Sequence, residues 1–244
     1  MGIRSWPDHL RAAGIAVAEH NNWRSNAPLG ELPDRPYLVW HHDASPAGSS
    51  PGALDWIISA YNSQQPSAQI WVGYDGVWHF VGSGVAWHTG NVLPGMPNNY
   101  NAVGVETDET EGETWSPALL SSLRRGTAAI AQAEGYDPGS WLHFHKTICS
   151  PVGRKSDPSG LDLANERNTV RSLMGRTDSE EFDDMDQQTF KQLVRDAIKW
   201  AMEDVKGIDP ILIDKAVSRA IAGPIADINR RLDALAAKVD QGKA

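Results

Sequence analysis

The sequence predicts an α/β fold, with a central mixed β-sheet flanked by helices and a C-terminal α-helical appendage. Three observations carry this expectation. Short apolar runs of strand length, Tyr37 to His42 and Asn101 to Thr107, alternate with helix-patterned stretches. One of those stretches is bounded by helix-capping residues, Ser116-Pro117 at its start and Gly135 at its end. Six acids then crowd into the nine residues from Asp178 to Asp186, and beyond them only helical periodicity remains.

Taken in chain order, the first strand follows Pro36. Its alternation puts Tyr37, Val39 and His41 on one face and Leu38, Trp40 and His42 on the other, so one histidine of the pair can easily reach a given site. Leu54 to Asn62 reads as a helix. In the second strand Glu106 shares a face with Gly104, while Val103 and Val105 occupy the opposite one. An acid at the end of a buried strand needs a reason. Past the acidic run, Phe190, Leu193, Val194, Ala197, Ile198, Ala201, Met202 and Val205 repeat at three and four until Gly207. Asp209-Pro210 opens a second tail helix that ends near Gly223-Pro224. Ile225, Ile228, Leu232, Leu235 and Val239 then follow a heptad-like seam, too short for a convincing coiled coil. These boundaries divide the chain into an α/β domain at 1–176, an acidic linker at 177–186 and a helical tail at 187–244. The apolar faces of the tail need a partner, which can be each other or a second copy of the chain in a homo-oligomer.

Composition sets outer limits. At 244 residues and 41% hydrophobic, the chain can bury one full core and carry a small appendage. Ten tryptophans against four phenylalanines suit a carbohydrate- or peptide-binding cleft and suit core packing equally. One cysteine excludes an intramolecular disulfide framework. The opening Met-Gly-Ile-Arg-Ser-Trp-Pro-Asp-His lacks an apolar stretch of signal-peptide type, and no run approaches membrane-spanning length. No signal peptide, membrane insertion or nucleic-acid partner is expected.

The segment from His145 to Pro158, His-Lys-Thr-Ile-Cys-Ser-Pro-Val-Gly-Arg-Lys-Ser-Asp-Pro, sets an imidazole, an ammonium and a carboxylate within fourteen residues. That combination suits a hydrolytic zinc site, which takes about three protein ligands and keeps a position for water. His145 and Asp157 can supply two ligands. In an extended segment Lys155 would point to the same side as Asp157. The third ligand is expected from His41 or His42, between which strand period does not choose. His143 competes with His145, because both lie on one face of Trp141-Leu-His-Phe-His.

Several elements, in order, resemble the zinc amidases that cut N-acetylmuramoyl-L-alanine bonds and share a fold with peptidoglycan-recognition proteins. They are the strand ending in His41, Ser67-Ala68-Gln69-Ile70 leading to Asp75-Gly76, Ala86-Trp87-His88-Thr89-Gly90, Asn101 to Glu106, and His145 through Asp157-Pro158. The likeness spans Tyr37 to Leu163. The opening Leu10-Arg-Ala-Ala-Gly14, followed by Trp23, resembles the N-terminal extension of actinobacteriophage lysins. The resemblance implies zinc bound by His41, His145 and Asp157, a catalytic pair Glu106 and Lys155, and substrate contacts from His88 and Trp87. Two departures stand out. The spacing from His145 to Asp157 is about two residues longer than in close relatives, and Gln69 and Ile70 replace a histidine or tyrosine on the third strand. The second departure shifts the catalytic load to Glu106.

Each residue has a plainer alternative. The Asp157 segment is ordinary turn composition, Glu106 can pair with an arginine, and His42 can orient a neighbour by a hydrogen bond. His88 can cap a loop, Trp87 can be core, and Cys149 reads as a buried inert thiol. The function expected from the resemblance is that of a phage endolysin acting on peptidoglycan, held in the host cytoplasm until lysis and then acting at the bacterial cell wall. A non-catalytic peptidoglycan-binding protein of the same fold and a zinc peptidase cutting within the stem are the alternatives. The helical tail would serve cell-wall targeting or oligomerisation.

Overall fold

The computed structural model describes residues 2–43, 52–112 and 114–175. In chain order these residues form helix α1 (Trp6–Ala12), strand β1 (Val17–Glu19), β2 (Tyr37–Trp40), α2 (Gly52–Asn62), β3 (Ile70–Val72), β4 (Trp78–Phe80) and β5 (Ala102–Thr107). Next come α3 (Pro117–Glu134), the single turn α4 (Pro138–Trp141), β6 (Leu142–Phe144), the single turn α5 (His145–Ile148) and α6 (Leu163–Leu173). The strands make one mixed sheet in the order β1-β4-β3-β5-β2-β6, in which β3 and β4 are antiparallel and the other neighbours parallel. The expected α/β architecture with a central mixed sheet is the observed one. The acidic linker and the tail helices expected at 177–186 and 187–244 lie outside the described residues.

The antiparallel pair is closed by a tight turn in which Asp75 Oδ1 accepts from the Val77 N–H at 3.0 Å and Gly76 takes a φ of +81°. That conformation disfavours a side chain. Parallel neighbours instead need crossover segments, which place helices on both faces of the sheet.

Strand alternation sorts the two faces. Leu38, Trp40, Ile70, Val72, Val103 and Val105 enter the main core together with Leu10 of α1, Leu119, Leu123 and Ile130 of α3, and Val170 of α6. Ser116 caps α3, its Oγ accepting from the Leu119 N–H, and Gly135 ends the helix in the left-handed region. Leu119, Leu123 and Ile130 of α3 each contribute about 1.5–3 kcal/mol by leaving water. Leu123→Ala would therefore cost about 2–5 kcal/mol once the cavity is included. The opposite face carries Val39, Gly104, Glu106 and Trp71, and there α2 packs Leu54, Ile57 and Tyr61 against Trp71.

The opening segment belongs to this core. Trp6 and Leu10 are fully buried, Trp23 packs against Phe80 at 4.9 Å between ring centroids, and β1 extends the sheet beside β4. The tryptophan bias divides the same way. Trp6, Trp23, Trp40, Trp71, Trp78 and Trp141 are buried, whereas Trp56 and Trp87 are exposed.

Candidate metal centre

Strands β2 and β6 are adjacent and parallel, so their C-terminal ends meet at one edge of the sheet, where α/β folds gather ligands. His41 is the first residue past β2. Its N–H donates to the Val105 carbonyl at 2.9 Å, continuing the ladder, and its carbonyl accepts from Thr107 Oγ1 at 2.8 Å. His145 is the first residue past β6. Asp157 is brought back beside it by the Lys146 N–H, which donates to the Asp157 carbonyl at 2.7 Å.

These three side chains converge. His41 Nδ1 lies 3.0 Å from His145 Nδ1 and 3.0 Å from Asp157 Oδ2, and His145 Nδ1 lies 2.9 Å from the same oxygen. The three are buried and form the cluster of potential metal-ligating groups found among the described residues. The donor set of two imidazole nitrogens and a carboxylate oxygen fits a divalent cation. Ligands about 2.0 Å from a tetrahedral ion stand about 3.3 Å apart, close to the separations seen. The remaining ring nitrogens are engaged: His145 Nε2 donates to the Thr89 carbonyl at 2.9 Å, and His41 Nε2 lies 3.0 Å from His88 Nδ1. With its proton on Nε2, His145 presents a lone pair at Nδ1.

Electrostatics favour the same use. Burial lowers the His41 pKa to about 4, against the pull of Asp157, so the ring is neutral at pH 7 and able to ligate. Burial alone would raise the Asp157 carboxyl, yet its contacts with His145 and His41 hold it well below the usual range. Glu106 goes the other way. Burial, then the charges of Asp157 and Asp43, push its carboxyl well above the ordinary value, with Lys155 opposing.

A cavity of about 670 Å³ opens above the cluster, with Glu106, Lys155, His88 and Trp87 in its wall. The structure thus brings all seven expected site residues to one place. Lys155 approaches from the exposed Arg154-Lys155-Ser156 loop, and Trp87 is 49% exposed at the rim, where its ring meets Tyr100 edge-on. His42 also reaches the wall, but its Nδ1 accepts from the Ser159 N–H at 3.3 Å and so anchors the loop after Asp157. His143 stays away from the cluster, its Nε2 bonded to the Ser140 carbonyl and its ring packed on Tyr37. Gln69 is structural: it accepts from the Gly104 N–H at 2.7 Å and donates to the Gly84 carbonyl at 2.8 Å. Cys149 is buried.

Four contributors had no assigned role from sequence. Trp56 of α2 shares the cavity wall with Trp87 and is 64% exposed. The Ser67 hydroxyl, also in the wall, is buried without a hydrogen-bond partner. Arg154, inside the quoted Gly-Arg-Lys motif, donates to the carbonyls of Thr89 and Asn91 at 2.9 Å each. Asn99 uses one oxygen to accept from the backbones of His88 and Thr89 and from the Thr89 hydroxyl. An exposed tryptophan on a helix is a usable sequence signal; a buried asparagine in an Asn-Asn pair is not.

The model of the family described as N-acetylmuramoyl-L-alanine amidase matches residues 33–160, more than half of the chain. No curated protein matches the chain. Among solved structures, the Ph2119 endolysin from a Thermus scotoductus bacteriophage is similar at 17% identity and a TM-score of 0.46, covering 63% of this chain and 98% of that one. Drosophila PGRP-LB is similar at 19% identity and 0.45, covering 62% and 92%. The N-acetylmuramoyl-L-alanine amidase LysC from Clostridium intestinale is similar at 18% identity and 0.44, covering 64% and 97%.

Proposed function

Since this chain belongs to the N-acetylmuramoyl-L-alanine amidase family, we propose that it is a zinc-dependent hydrolase. Its substrate would be the amide bond between the lactyl group of N-acetylmuramic acid and L-alanine in peptidoglycan. The observation that carries this reading is the convergence of His41 Nδ1, His145 Nδ1 and Asp157 Oδ2 beside Glu106, at the base of an open cavity.

Zinc held by those three residues would supply a Lewis acid for water and for the amide carbonyl. Glu106 accepts a proton from the attacking water and returns it to the leaving alanine amine. Burial and the charges of Asp157 and Asp43, with Lys155 opposing, push its carboxyl above the ordinary range, which favours its holding the proton between the two transfers. Lys155 faces the same space and stabilises the charge that develops on the carbonyl oxygen, a contribution often worth about 3 kcal/mol per donor. Trp87 forms part of the wall against which the muropeptide lies.

The narrower reading, a bacteriophage endolysin, is part of this proposal and rests on the likeness of the Leu10–Gly14 and Trp23 segments to lysin extensions. Mass spectrometry of digested cell wall tests the reaction. New free L-alanine amino termini without new reducing sugars are expected. Cuts within the stem peptide would make the enzyme a peptidase, and an absence of products from metal-loaded protein would make it a binder; either result overturns the reading.

A further inference from the structure

We propose that His88 is a positioning residue that decides which nitrogen of His41 is left for the metal, and that Gly104 is the space its ring requires. The inference rests on the metal reading above.

It follows from hydrogen-bond direction. The Ala102 carbonyl can only accept, and His88 Nε2 lies 3.1 Å from it, so that nitrogen carries the proton. His88 Nδ1 is then an acceptor. Opposite it, at 3.0 Å, is His41 Nε2, which must donate. The proton of His41 is thereby held on Nε2, and the lone pair stays on Nδ1, the atom 3.0 Å from Asp157 Oδ2. Both ring nitrogens of His88 are engaged and only 6% of the residue is exposed, so it has no free ring nitrogen for a substrate.

The backbone holds this relay in place. Asn99 Oδ1 accepts from the His88 N–H at 3.0 Å and from the Thr89 N–H at 2.8 Å. Thr89 in turn presents the carbonyl that fixes the tautomer of His145. One turn, His88-Thr89, therefore sets both histidine ligands, through a side chain for His41 and through a main-chain oxygen for His145. Gly104 completes the arrangement. A Cβ there would stand 2.6 Å from Cγ and 2.8 Å from Nδ1 of His88, so any side chain would push the ring off its partner.

Two measurements on the full chain test this. Nitrogen-15 NMR of the zinc-loaded protein should show His41 ligating through Nδ1, with protons on Nε2 of both His41 and His88. A proton on His88 Nδ1, or ligation through His41 Nε2, overturns the proposal. Zinc affinity by chelator competition should fall about 10–100-fold in His88→Leu. It should largely recover in His88→Gln, whose amide can still accept from His41 and donate to Ala102. A folded His88→Leu that binds zinc like the wild type overturns the proposal, and so does a folded His88→Gln as weak as His88→Leu. If His88→Leu does not fold, the NMR result decides. A wild-type chain that takes up no zinc contradicts the metal reading, and the proposal falls with it; normal zinc uptake with either contrary result above isolates the failure to His88.

Discussion

Glu106 Oε1 stands 3.9 Å from Nδ1 of His41, and Oε2 of the same carboxylate is buried with no hydrogen-bond partner. A costly arrangement of this kind persists where a buried acid has work to do. Glu106 is beside the ligand cluster rather than part of it, so Glu106→Gln should keep the metal and lower wall hydrolysis by about a hundredfold or more. Lys155→Met should also lose activity with zinc retained. Turnover of Glu106→Gln near the wild-type rate would show that another group activates the water.

Gly126 lies inside α3, where alanine is favoured over glycine by about 1 kcal/mol. An added Cβ, however, would meet Trp78 Cζ2 at 2.5 Å and Leu10 Cδ2 at 3.0 Å, and Trp78 is fully buried with its indole N–H bonded to Ser122. Crowding of that kind costs about 1–3 kcal/mol and outweighs the helical gain. Gly126→Ala is therefore expected to unfold at lower urea concentration than the wild type, and a raised midpoint would mean that the indole can give way.

The His20–His79 pair sets a pH dependence away from the metal. The rings stack with His20 Nε2 2.9 Å from His79 Nδ1, and burial, then the charge of His20, lowers His79 to about 4 while Asp75 opposes. The folded pKa is depressed, so the unfolded chain binds the proton first. Stability is full above 6.5, the unfolded value, and declines as pH falls toward about 4. In His79→Gln the loss across that window should be smaller, as read from urea midpoints; an unchanged loss would assign it to other groups.

The family match ends before the acidic run. A chain ending at Arg176 should take up zinc and cleave small soluble muropeptides like the full chain, and activity on whole walls should fall if the tail adds a second attachment. Loss of zinc uptake or of soluble-substrate cleavage in the shortened chain would show that the tail is needed by the α/β domain.

His41 and His145 stand just past short apolar runs and Asp157 in a polar turn, so residue type and spacing made them candidates, and the family resemblance chose His41 over His42. His143 and His145 share a face by alternation. What separates them is that β6 stops at Phe144, and only His145 steps onto the next turn. The opening segment was less legible, since a three-residue strand such as Val17–Glu19 exists only through pairing with β4. Composition likewise could not divide the tryptophans between core and cleft, because burial depends on tertiary neighbours. His88 shows the deeper limit: its residue type was visible, but its hydrogen bonds join a carbonyl fourteen positions away to a histidine just past β2.

Metal content tests the central claim most directly. Wild-type protein stripped by chelator and dialysed against zinc should retain about one equivalent, whereas His41→Ala and Asp157→Ala, folded by circular dichroism, should retain almost none. Full zinc occupancy in both folded variants would contradict the assignment of His41, His145 and Asp157 as the metal centre.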